Sequence, residues 1–153
     1  MKTLVDKYIK NVPAKRVFVR ANNFIFSEMD ASYGMYFIES GTVKILKGVP
    51  ESGKDMNLAT LGPNEFFGEM SLLTRRPHST NALATKDCAL WVLDEKAFKE
   101  AIAKNPEFSL LIMRTLAKRL LDMNDKMRDL FSQIKDFTEK VEEFSTIWHA
   151  FAP

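Results

Sequence analysis

The chain has 153 residues, a formal net charge of +2, 46% hydrophobic residues and a single cysteine. That suits one ordinary domain plus an appendage, with enough apolar material for a core. It excludes an internal disulfide framework, a bilayer-crossing segment, which needs ~20 apolar residues in a row, and a broad basic face for nucleic acid.

Met1 to Lys10 carries Leu4, Val5, Tyr8 and Ile9 on one face of a short helix, ended by Pro13. This N-terminal stretch lacks the apolar core of a signal peptide. With the lone thiol, that points to the cytoplasm. Arg16 to Arg20 alternates polar and apolar, a strand signal. Asn22-Asn23 turns into a second short strand, Phe24 to Phe26, and a loop runs from Ser27 to Gly34. Met35 to Ile38 and Thr42 to Leu46 read as an antiparallel pair around Glu39-Ser40-Gly41. Gly48 to Lys54 reads as a polar hairpin tip, Met56 to Leu61 as strand, and Gly62 to Glu65 as a turn. Ser79 to Ala84 and Cys88 to Leu93 complete the strands, with Cys88 a buried structural thiol. Arg75-Arg76 and Lys44-Lys47 are expected as solvated surface. Many short strands at even spacing argue for an all-β sandwich or barrel. Asp94 caps a short helix with Phe98 and Ile102 inward, and Asn105-Pro106 breaks it and starts the next.

Between these strands lies FGEMSLLTRRPHSTNALA, Phe67 to Ala84, around which the chain is organised. Gly68 lets backbone N–H groups approach a ligand closely. Met70 to Leu73 can wind one helical turn, whose free N–H groups suit an anion. Glu69 offers a carboxylate suited to a sugar hydroxyl, and Pro77-His78-Ser79-Thr80 supplies polar donors across the loop. The stretch resembles the phosphate-binding cassette of the cyclic-nucleotide-binding domain family. In that family Gly-Glu opens the cassette, the Glu holds the ribose 2′-hydroxyl, and an Arg pairs with the cyclic phosphate. Gly68, Glu69, Pro77, Ser79 and Thr80 match, and His78 stands in place of the Arg. Thr80 occupies a family position where a hydroxyl favours cGMP over cAMP. The segment YFIESGTVKI, Tyr36 to Ile45, is also typical of the family, and the resemblance runs from Val17 to Leu121. Asn23 and Met29 stand where Gly is common, and Asn23 tolerates left-handed backbone. The resemblance implies a mainly β protein: a jelly-roll-like β-roll over residues 1–104, then a long helix or coiled coil over 105–153.

From Glu107 to Ala152 there is no Gly and no Pro. With Met113 as a heptad a position, the a series is Met113, Leu120, Met127, Ile134, Val141 and Trp148. The d series is Leu116, Met123, Leu130, Phe137, Phe144 and Phe151, and every member of both is apolar. Such a helix runs on the order of 65 Å at ~1.5 Å per residue. Its seam requires a partner helix, and an identical chain is the cheapest. Charges at the flanking positions do not pair across a parallel dimer, and the bulky aromatics crowd a narrow seam. Asn105 to Leu120 is similar to the dimerisation helix of cAMP-receptor members of the family. There the implied base-facing residues are Met123, which can pack on a ring, and Asn124, which can donate and accept.

The resemblance therefore implies a non-enzymatic cytoplasmic sensor of cAMP, cGMP or a related small anion. Ligand-contacting residues would be Gly68, Glu69, Met70, Ser71, His78, Ser79, Thr80, Met123 and Asn124. It would act as a homodimer on a downstream protein. The alternative is the same fold without nucleotide binding, serving as a dimerisation or protein-interaction module. No catalytic pair, Walker loop or metal-spaced cluster stands in the sequence, so no cofactor or metal is expected. Because the sequence stops at Pro153 with no helix-turn-helix, direct nucleic-acid binding is not expected, and without a bilayer-crossing apolar run no membrane partner is expected.

Overall fold

The computed structural model describes residues 3–49 and 53–151. Contacts within the chain group into two units, Met1–Phe108 and Ser109–Pro153. In the first, eight antiparallel strands form two four-stranded sheets. One has the order β1 (Lys15–Val19), β8 (Cys88–Leu93), β3 (Met35–Ser40), β6 (Phe66–Phe67). The other has the order β2 (Phe24–Phe26), β7 (Asn81–Ala84), β4 (Val43–Val49), β5 (Lys54–Leu61). This is the expected β-roll. The hairpin expected at Gly48 to Lys54 is narrower, since β4 and β5 pair Val49 with Lys54. Its tip, residues 50–52, lies outside the described residues.

Inward-facing side chains explain the alternation in the strands. Phe26, Tyr36, Ile38, Val43, Leu61, Phe67 and Leu90 meet between the sheets. β3 is buried on both faces, because its other side carries Phe37. Phe37 packs on Phe66 and Phe108, and Phe108 also meets Tyr8 and Phe98, with ring centroids 5.3–5.9 Å apart. This second aromatic cluster ties the N-terminal segment and the helices to the back of the sheet. β8 lies between β1 and β3, pairing Trp91 with Arg16 on one side and Phe37 on the other. Trp91 is half-buried, and its indole Nε1 is buried with no protein acceptor. Cys88 is buried, and that burial raises its thiol pKa, as expected of a structural cysteine.

Asp94 caps α2 (Glu95–Lys104), accepting the Ala97 N–H on Oδ1 at 2.8 Å. Phe98 is buried there and Ile102 half-buried. Asn105 is extended, as a residue before Pro must tend to be. α3 spans Glu107–Phe151. The N-terminal helix is shorter and wider than expected: a five-residue π-helical turn, Val5–Ile9. In the first turn the left-handed residue is Asn22, at φ 64°, rather than Asn23. Asn23 instead uses its amide to bond the Arg20 and Ala21 carbonyls. Met29 is left-handed at φ 71°, a conformation costing a side-chain-bearing residue roughly 1–2 kcal/mol.

In the second unit, α3 exposes its apolar seam. Leu120, Met123, Leu130, Phe137, Phe144, Trp148 and Phe151 are all more than half exposed. The ion pairs that the structure shows there run along the helix, Asp125 to Arg128 and Lys135 to Glu139. Among the described residues, no helix is long and apolar enough to cross a membrane.

Candidate functional site

The cassette folds as β6, a left-handed glycine, one short helix and a loop into β7. Gly68 caps α1 (Glu69–Thr74) at φ 77°. A Cβ there would stand 3.2 Å from the Tyr36 ring and 3.3 Å from the Gly34 carbonyl oxygen. Both the backbone sign and the close approach favour glycine. Glu69 follows as a buried carboxylate, and Ser71 is buried one step further on. Met70 is exposed, Ser79 is exposed and Thr80 is half-buried.

His78 is not the exposed loop residue its sequence context allows. It is 2% exposed. Its ring stacks on Phe26 with centroids 3.5 Å apart and planes 5° from parallel. Its Nδ1 lies 2.9 Å from Ser71 Oγ, and its buried Nε2 has no protein partner. Its backbone is clamped as well: His78 N–H donates to the Asp30 carbonyl at 2.9 Å, and Met29 N–H donates to the His78 carbonyl at 2.8 Å. Left-handed Met29 is thereby tied to the cassette loop through its backbone N–H. Desolvation lowers the His78 pKa below its ordinary 6.5, with the Asp30 charge opposing the shift. The imidazole is therefore neutral at pH 7.

This has a consequence for stability. The unfolded chain takes up the His78 proton near pH 6.5, but the folded chain does so only at lower pH. The unfolded state then binds more protons, so stability is full above pH ~6.5 and falls as pH drops toward the folded-state pKa. Thermal unfolding at pH 7.5 and 5.5 is expected to show a steeper loss for the parent than for His78→Phe. Equal losses in the two proteins would exclude His78 as the source.

The sequence reading missed three partners. Lys47 Nζ pairs with Glu28 and donates to the Ser79 carbonyl at 2.8 Å, so it clamps the cassette loop rather than lying free on the surface. Phe26 and Asp30 hold His78. For Lys47 the signal lay in register: β4 and β7 pair Leu46 with Asn81, which carries Lys47 to the loop. Arg75 bonds Glu95 at 2.9 Å and is committed there. Met123 and Asn124 stand on α3 in the second unit, both exposed. Among the described residues no cluster of three or more His, Cys, Asp or Glu could hold a metal.

Comparison with known proteins gives this geometry its setting. Residues 16–105 match the cyclic nucleotide-binding domain. A CRP-like cAMP-activated global transcriptional regulator of Mycobacterium tuberculosis is 33% identical over 106 residues, 69% of this chain and 47% of that protein. The cyclic AMP receptor protein of Thermus thermophilus is 33% identical over 108 residues, 71% of this chain and 49% of that one. The chain thus spans about half the length of these relatives. Among solved structures, the Thermus thermophilus catabolite activator protein superposes with a TM-score of 0.71 at 28% identity, covering 82% of this chain and 62% of that one. The chain belongs to the cyclic nucleotide-binding domain family.

Proposed function

We propose that this chain is a non-enzymatic, cytoplasmic sensor of a cyclic nucleotide, cAMP or cGMP. It would hold the ligand in the cassette and signal through α3 and a homodimer to a downstream protein. The observation that carries the reading is the pairing of left-handed Gly68 with buried Glu69 at the head of the cassette. Glu69 takes the ribose hydroxyl, and the Ser79 and Thr80 hydroxyls lie in the segment that faces the phosphate in this family. Met123 and Asn124 are the residues that the family resemblance assigns to the base. The names of the relatives, a cAMP-activated regulator and a cyclic AMP receptor protein, support the ligand class.

His78 sets the affinity. A cyclic phosphate is a permanent anion, and a neutral, inward-turned imidazole offers it no charge. Losing one charge-assisted contact costs roughly 1.5–3 kcal/mol, about ten- to a hundredfold in binding. Binding weaker than that of an Arg-bearing cassette is expected, with Thr80 favouring cGMP. The burial of His78 also favours the second reading, a cassette no longer used for nucleotide in a dimerisation or interaction module.

Calorimetric titration with cAMP and cGMP at pH 7.5 and 6.0 separates the two, using the stripped parent and Glu69→Ala. Heat from the parent, with Glu69→Ala weaker by at least about tenfold, supports the sensor. No heat from a folded parent, or equal binding by Glu69→Ala, removes it and leaves the interaction module.

A further inference from the structure

A cavity lies in the β-roll beside the cassette, lined by Ser71 of the proposed ligand contacts but by none of Gly68, Glu69, His78, Ser79 or Thr80. Its volume is about 930 Å³, at the upper end of the range for small-molecule pockets. Its floor is apolar: Val17 and Val19 of β1, Ile25 of β2 and Val92 of β8. All four point toward the inter-sheet core and pack on its edge, yet each is only half-buried. Inward-facing valines left half-open are the mark of a lined cavity rather than of a solvent face.

The charged groups of the lining are unbalanced in sign. Glu95 is neutralised by Arg75 at 2.9 Å and Lys99 at 2.8 Å, and Asp94 is engaged in capping α2. Lys15 and Arg76, by contrast, stand at the rim without a carboxylate partner among the described residues. Deeper in the wall, the Ser32 Oγ is buried and has no protein partner. A buried hydroxyl in that state is open to a hydrogen bond with water or with a ligand oxygen.

From the apolar floor, the two unpaired cations and the orphaned hydroxyl, we infer that this cavity binds a small amphipathic carboxylate, with an aliphatic body over Val17, Val19, Ile25 and Val92 and its carboxylate toward Lys15 and Arg76. The site adjoins the cassette and shares Ser71 with the proposed nucleotide contacts, while its apolar floor and its two cations lie outside that set. It is also joined to the cassette from behind, because Ser71 and Leu72 form part of its wall and Ser71 is the residue bonded to His78.

The test uses decanoate as the probe and the methyl NMR signals of the full chain as the readout. Saturable shifts of the Val17, Val19, Ile25 and Val92 methyls are expected. The Lys15→Gln, Arg76→Gln double variant should bind decanoate at least about tenfold more weakly, the loss expected for charge-assisted contacts. Both residues are exposed, so the variant keeps the fold, which its unshifted core methyls check. Decanol, which has the same chain without the charge, should bind parent and variant alike. Three results overturn the proposal: no shift of the four lining residues at millimolar decanoate, shifts confined to the α3 seam, or a double variant that binds decanoate as well as the parent.

Discussion

Gly34→Ala is expected to prevent the β-roll from folding. Gly34 sits at φ 146°, immediately before β3. A Cβ there would lie 2.1 Å from the Leu93 carbonyl oxygen, 2.7 Å from its carbon and 3.0 Å from the Asp94 nitrogen. All three atoms are backbone, so no side chain can swing aside. Relief would require moving β3 from β8 where Met35 pairs with Leu93, or shifting the Asp94 cap of α2. Either disturbs the centre of the sheet. A cost of about 4 kcal/mol or more approaches the whole stability of a typical domain, ~5–15 kcal/mol. Denaturant unfolding followed by circular dichroism checks it, with Gly62→Ala as control. Gly62 has nothing within 4 Å of a built Cβ, and the control should unfold like the parent. A Gly34→Ala protein as stable as that control would show the strand junction to be far softer than its geometry implies.

Replacing Leu130 and Phe137 by Asp is expected to turn a dimer into a monomer while leaving the β-roll folded. Both side chains occupy d positions of the heptad series and are 56% and 69% exposed in the single chain. A helix of 45 residues with so long an apolar stripe cannot be stabilised by propensity alone. In the proposed homodimer the stripe gains its free energy when a second copy covers it. Burial of a Leu or Phe contributes about 1.5–3 kcal/mol, and a dimer loses four such side chains at once. Association should weaken by at least about 6 kcal/mol, more than ten-thousandfold at ~1.4 kcal/mol per tenfold. Sedimentation equilibrium gives the mass directly. A parent that stays monomeric at every concentration, or a variant of unchanged mass, would defeat the homodimer.

The parts of this protein that sequence made legible are those governed by local rules. β8 was read at its observed bounds, because a six-residue apolar run between polar turns has few other uses. Asp94 was read as a cap from its place before Glu95, and the helix after Gly68 from its position behind a glycine. What escaped is set by neighbours distant in the chain. Loop membership put His78 near a ligand but could not give the direction of its ring, which Phe26 and Ser71 decide. Asn22 and Asn23 are chemically the same residue, so only the path of the turn selects which is left-handed. The buried face Val5, Tyr8 and Ile9 keeps the i, i+3, i+4 spacing legible in the sequence, whereas the widening of that turn to a π-helix carries no local signal. Substituting His for the family Arg was legible as chemistry; its withdrawal into the core was not.

The chain carries 2 tryptophans, one in each compact unit. Trp91 is half-buried in the central strand of its sheet, and Trp148 is 63% exposed on α3. Each is therefore an intrinsic fluorophore for a different event. Trp91 responds to melting of the strands around it, and Trp148 to covering of the helix. With Trp148→Phe the emission of the chain becomes a private record of one process, and with Trp91→Phe of the other, so the two can be timed separately without attaching a dye.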